Sequence, residues 1–284
     1  MAIGWRPQPK GDEAYRRWDR SVEALGASWR LVTRTPALRA TAATAFVAWV
    51  IASAVLFGPV MAWWVSSGSR MAVVVGSAVV AFPFLFVTIY FSVALLAAAN
   101  ACMDGERLTV RQSFAVANRR IPQIATWALL SAGVGALLDP LAEWVPGGGH
   151  VARWVLGTAW ALATLFAIPV IVVDGVGGKE AALRSARTFR AAWGESVLGE
   201  LSITFFTIVL VVPGGFALCT GIAAGATVGG FVAAGIGLAL LAIAGFLATT
   251  VERLFALVLL RYVREGEVHG GFTERQLRTG IFLK

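Results

Sequence analysis

The sequence predicts an all-α fold, a polytopic transmembrane helical bundle of about six spans with amphipathic helices at the cytoplasmic interface. Three observations carry that expectation. The chain is 58% hydrophobic and 14% charged over 284 residues, against roughly 45–50% and about 25% for an ordinary soluble domain. Its apolar residues fall in long uncharged stretches, and a span needs about 20 mostly apolar residues. Its basic residues cluster between alternate stretches, as the bias of Lys and Arg toward cytoplasmic loops requires.

The charges bracket the spans. Arg39 and Arg70 enclose the first uncharged stretch, Arg70 and Asp104 the second, Arg120 and Asp139 a shorter third, and Arg153 and Asp174 the fourth. Glu200 and Glu252 enclose 51 uncharged residues, too many for one crossing and enough for two. The run from Cys219-Thr220-Gly221 to Gly229-Gly230 supplies the turn between them, since glycine disfavours helix. The expected spans are 40–65, 71–102, 122–145, 151–173, 197–219 and 230–262. They divide the chain into a basic amphipathic segment at 1–39, a transmembrane domain at 40–263 and a tail at 264–284.

Orientation follows from the flanks. Of the 24 basic residues, 22 lie before the first span, between spans two and three, between four and five, or at the C-terminal end. Arg70 and Arg153 alone fall on the other side. An even span count with this bias places both termini in the cytoplasm, and the plasma membrane is the expected location. The charged opening, with Trp5, Arg6 and Lys10, is not expected to act as a signal peptide.

Three basic segments share a pattern. Trp18, Val22, Leu25, Trp29 and Val32 fall on one helical face, as do Val110, Phe114, Ala117 and Ile121, and again Ala182, Ala186, Phe189 and Trp193. Each carries a serine near its middle: Ser28, Ser113 and Ser185. Such spacing suits helices lying in the interface, with arginines toward lipid phosphates and aromatics toward acyl chains. Arg111, Arg119, Arg120, Arg184, Arg187 and Arg190 are the candidate lipid-headgroup contacts. A repeat of interfacial helix plus hairpin is the expected organisation. Against it stands the plain fact that cytoplasmic loops are commonly basic.

Reactive chemistry is scarce. Charge inside a membrane is costly and often functional, so Glu252 and Arg253, within the last long apolar run, form a candidate intramembrane polar pair. They equally suit an inner-interface position with snorkelling side chains. Asp139 and Glu143 share a face near the end of span three, where Pro140 and Pro146 favour a loop edge. Glu195 and Glu200 suit a helix N-terminus. Asp104-Gly105 and Asp174-Gly175 each follow a span and read as turns. Pro59, Pro83, Pro169 and Pro213 lie inside spans, and Pro213-Gly214-Gly215 is the clearest candidate break. His150 and His269 have no partner in sequence. Cys102 and Cys219 sit among apolar residues and read as packing residues, with neither a disulfide nor a metal site expected. No Gly-x-Ser-x-Gly, His-Glu-x-x-His or phosphate-binding loop occurs. No catalytic residue and no cofactor is expected.

The stretch Ile168-Pro169-Val170-Ile171-Val172-Val173-Asp174-Gly175, followed by Glu180-Ala181, Ser185 and Trp193-Gly194-Glu195, carries a resemblance. Together with Trp29-Arg30, Arg261-Tyr262 and Gly271-Phe272, it resembles an uncharacterised prokaryotic family of six-span membrane proteins known as a domain of unknown function. The resemblance covers nearly the whole chain. More loosely, the chain is similar to the membrane region of bacterial glycerophosphodiester phosphodiesterases, which is not their catalytic part. The resemblance implies architecture and no activity.

The expected role is therefore a non-enzymatic membrane organiser at the inner leaflet. Its expected partners are anionic lipids and a membrane protein or a second copy of the chain. The net charge of +8 sits beside apolar blocks, so lipid is expected rather than nucleic acid. A transporter or channel subunit with a broken fifth helix is the alternative.

Overall fold

The computed structural model describes residues 33, 35–68, 70–143, 149–193, 215–216, 218–220 and 228–266. Among these residues the chain is all-helical. The elements are α1 (Pro36–Ser67), α2 (Arg70–Met103), α3 (Val110–Arg119), α4 (Ile121–Glu143), α5 (Gly149–Ala163), α6 (Ala167–Asp174), α7 (Gly178–Trp193) and α8 (Val228–Glu265).

Four stretches are long and apolar enough to cross a membrane: Pro36–Val60, Val79–Met103, Arg153–Asp174 and Gly235–Glu265. The apolar part of α4, Ile121–Leu137, is shorter. Four candidate spans thus stand among the described residues where the sequence predicts six. The expected third span is present as a helix with a short apolar stretch. The expected fifth lies outside the described residues, except at 215–216 and 218–220. The amphipathic segment around Trp18 and Trp29, Pro213-Gly214 and the tail beyond Gly266 also lie outside them.

The first two helices form a hairpin that turns at Gly68, whose φ is +63°. Phe57 meets Phe84 edge-on at 5.2 Å. The indole N–H of Trp49 donates to Thr88 Oγ1 at 3.0 Å, satisfying a polar group within the apolar stretch. Pro59 and Pro83 lie inside continuous helices. Pro169 behaves differently: the helix is interrupted by a turn at 164–166 and resumes as α6. Proline lacks an N–H for the carbonyl four residues back, and the turn falls where that bond would be missing. The expected fourth span, 151–173, is thus built of two helices within one apolar stretch, Arg153–Asp174.

Packing is concentrated at one end of the bundle. Val93 through Ala99 of α2 are all buried, as are Ala256 through Leu260 of α8, Val170 through Val172 of α6, and Ile124, Trp127 and Ala128 of α4. Small side chains such as Ala94, Ala97, Ala98 and Ala99 allow the close approach that holds helices together where burial from lipid brings little hydrophobic gain. At the other end large apolar side chains are exposed, among them Val55, Val79, Leu137, Trp154 and Leu238. Contiguous apolar surface of this kind suits contact with lipid.

Candidate functional site

The packed end of the bundle is also where its charges gather. α2 stops at Met103 and its chain turns through Asp104 and Gly105, the latter at φ +80°. α6 stops at Asp174, and Gly175 at φ +69° caps it in the left-handed region, its N–H donating to Ile171 O at 3.0 Å. Glycine reaches that conformation without the strain a Cβ brings. Both corners thus have the same local build: an apolar helix, an aspartate, a left-handed glycine, then a short helix.

Both aspartates bind the same helix. Asp174 accepts two hydrogen bonds from Arg264, at 2.7 and 3.1 Å, and one from Arg184 Nη1 at 2.8 Å. Its side chain is 13% exposed. Asp104 accepts from Arg261 Nη2. Arg261 and Arg264 stand one turn apart near the end of α8, so the C-terminal ends of α2, α6 and α8 meet at one end of the molecule. Arg184 also donates to Glu180 at 2.9 Å, and the bonds to Asp174 and Glu180 raise its guanidinium above the ordinary arginine value.

The short helices that leave the corners have distinct anchors. Thr109 caps α3: its hydroxyl accepts from Gln112 N at 3.3 Å, and its own N–H donates to Gln112 Oε1 at 2.8 Å, a reciprocal capping box. α3 buries Ser113 and Ala117 and exposes Arg111, Gln112 and Arg119. Tyr90 of α2 donates to Asn118 Oδ1 at 2.7 Å. α7 buries Ala181 and Ser185 and exposes Arg187 and Arg190. Ser185 Oγ accepts from Phe166 N at 3.0 Å, which satisfies a backbone donor freed by the turn at 164–166. The start of α7 presses against α4, where Gly178 N donates to Thr126 Oγ1 at 3.0 Å. An open cleft of about 500 Å³ beside that contact is lined by Thr126, Gly177, Gly178, Lys179, Glu180 and Leu183.

The six arginines singled out in the sequence thus divide. Arg111, Arg119, Arg187 and Arg190 are exposed. Arg184 is engaged by Asp174 and Glu180. Arg120 is half-buried, and its Nη1 lies 1.4 Å from where a Cβ on Gly175 would stand. Its guanidinium therefore lies over the α6–α7 corner. Glu252 and Arg253 are half-buried and no ion pair joins them among the described residues. Arg253 instead points at α2, with Nη1 3.5 Å from the Thr88 carbonyl, at the outer limit of a hydrogen bond.

Sequence reasoning missed the ion pairs of Asp104 and Asp174, since it read both positions only as turns. The available signal was an Asp-Gly at two equivalent flanks with Arg261 and Arg264 one turn apart on the same side. The side chains of Asp139, Glu143 and His150, and the whole of Glu195, Glu200 and His269, lie outside what the structure describes. Cys102 and Cys219 are free. Among the described residues no group of three or more His, Cys, Asp or Glu comes together to hold a metal.

A family model described as a family of unknown function (DUF6159) matches residues 69–272. The match begins just before α2, so α1 precedes it. No curated protein and no solved structure matches the chain.

Proposed function

The chain belongs to the DUF6159 family of unknown function, and from that premise we propose a non-enzymatic membrane protein that organises anionic lipid at the inner leaflet of the plasma membrane. In this reading the protein has six spans, both termini are cytoplasmic, and α3 and α7 are amphipathic helices lying in the interface. The observation that carries it is the placement of four exposed arginines. Arg111 and Arg119 stand on α3, Arg187 and Arg190 on α7. Both helices start from corners held to one end of α8 by Arg261 and Arg264. Two basic helices at one end of an apolar bundle suit a surface of lipid phosphates.

The test uses the full chain in nanodiscs containing neutral phosphatidylcholine with an increasing share of phosphatidylglycerol. Enrichment of the anionic lipid around the protein is read by native mass spectrometry of the released complex. Changing Arg111, Arg119, Arg187 and Arg190 together to Gln is expected to abolish the enrichment, since each basic residue near an anionic surface contributes about 1 kcal/mol. Equal enrichment in parent and variant would sink the proposal. Association with a membrane-protein partner or a second copy is part of the same reading, and nucleic acid is not.

A second reading, a transporter or channel subunit, draws support from one observation. Arg253 lies within an apolar candidate span and points at the α2 backbone, and a cation so placed is often functional. Solute flux in proteoliposomes that Arg253→Gln abolishes in a folded protein would favour it over the lipid-organising role.

A further inference from the structure

The two corners are built alike yet held unlike. Asp174 is 13% exposed and accepts three hydrogen bonds from two arginines. Asp104 is 42% exposed and pairs with one nitrogen of Arg261. Arg261 itself is 12% exposed, and its Nε and Nη1 are buried without a hydrogen-bond partner. Its Nε lies 3.4 Å from Glu265, close enough to attract and too loosely set to bond. Nearby, Asn100 Oδ1 is also buried without a hydrogen-bond partner, while its Nδ2 reaches Asp104 Oδ2 at only 3.4 Å. A buried donor or acceptor left unpaired raises the energy of the closed arrangement. The Asp104 contact is thus partly satisfied and open to salt. The Asp174 carboxylate is fully engaged and covered, while its partners Arg264 and Arg184 are 32% and 39% exposed.

We infer that the C-terminal end of α8 is a two-jawed clasp, in which Arg264 holds the α6–α7 corner fast through Asp174 while Arg261 holds the α2–α3 corner releasably through Asp104. Release frees the start of α3 from α8 without disturbing α7. The 104–109 turn and the first turn of α3 then move, while the bond from Tyr90 to Asn118 and the burial of Ala117 keep the rest of α3 in place. Ionic strength drives the release: Asp104 is the more exposed carboxylate and is held by one arginine bond, so screening opens it before it opens Asp174, which three arginine bonds hold.

The chain contains its own reporter. Cys102 lies on α2 two residues before Asp104, is half-buried and free, and faces Thr35 Oγ1 at 3.5 Å. The full chain carrying Cys219→Ala has Cys102 as its sole thiol. It is held in neutral detergent, without anionic lipid, and labelled with uncharged N-ethylmaleimide. The result therefore does not depend on the lipid-organising role. Opening of a corner is a local equilibrium, and labelling tracks the open population.

Raising salt from about 0.02 M to about 0.5 M is expected to speed labelling roughly three- to fivefold, the range of an exposed ion pair. Asp104→Asn is expected to label at the high-salt rate already in low salt, with no further response. Asp174→Asn is expected to label within about twofold of the parent, since its jaw is separate. A Cys102→Ala chain, which reports Cys219 instead, is expected to show no salt response. If Asp104→Asn fails to fold by gel filtration, the parent titration decides alone, because it needs no substitution. A flat titration overturns the clasp. So does an Asp104→Asn protein that labels at the parent's low-salt rate, or an Asp174→Asn protein that opens Cys102 as far as Asp104→Asn does.

Discussion

Gly178→Ala places a methyl group where the α4 backbone already stands. An ideal Cβ at Gly178 lies 2.6 Å from Trp127 N, 2.7 Å from Trp127 Cα and 2.8 Å from Thr126 C. Ordinary carbon contacts are about 3.5–4.0 Å, so the start of α7 and the first turns of α4 must separate by roughly 1 Å. All three atoms belong to backbone, so no rotamer change relieves the clash. Overpacking of this kind costs about 1–3 kcal/mol. The separation also stretches the bond from Gly178 N to Thr126 Oγ1, worth about 1 kcal/mol. The better helix propensity of alanine offsets up to about 1 kcal/mol. The net expectation is a loss of about 2 kcal/mol, measured by reversible unfolding in mixed micelles of increasing sodium dodecyl sulfate. Gly133→Ala in α4 and Gly157→Ala in α5 are the controls, because nothing lies within 4 Å of a Cβ at either site. Both are expected to be neutral or stabilising. Gly178→Ala as stable as those two would refute the close approach of α4 and α7, and with it the placement of α7 at the packed end. Trp127→Ala is expected not to rescue Gly178→Ala, since the clash is with the main chain.

Ser185→Ala removes the acceptor for Phe166 N in a fully buried setting and is expected to destabilise by about 1–3 kcal/mol in the same titration; Ser185→Gly, which removes the same acceptor, should cost at least as much. Thr109→Ala removes the capping box of α3 and is expected to cost about 1 kcal/mol, seen in amide exchange as lost protection confined to the first turns of α3.

Most of the architecture is legible from the distribution of charge. Long uncharged stretches mark α1, α2 and α8 because lipid tolerates little charge and the helix satisfies its own backbone. The 3.6-residue spacing of Val110, Phe114 and Ala117 marks α3, and the same spacing at Ala182, Ala186 and Phe189 marks α7, because one face must meet apolar matter. Thr109 with Gln112 is a readable helix start. The break at 164–166 is less legible, because Pro59 and Pro83 show that a proline in a span need not interrupt it. What separates Pro169 is Ser185, whose hydroxyl accepts the freed N–H of Phe166 from nineteen residues further on.

The arginines show where reading along the chain stops. Periodicity and composition place Arg111, Arg119, Arg120, Arg184, Arg187 and Arg190 equally beside the membrane, since each is a basic residue flanking an apolar run. Tertiary contact alone separates the exposed four from Arg120, folded over Gly175, and from Arg184, bound to Asp174. Likewise, Asp104 and Asp174 are turn residues by local chemistry, and nothing local announces a partner 157 or 90 residues away. The membrane-embedded helical character was set by the sequence alone, because it follows from transfer of side chains into lipid, one residue at a time. The pairing of two corners on α8 was set only by the fold, because an ion pair is a matter of distance and covering between residues that the chain keeps far apart.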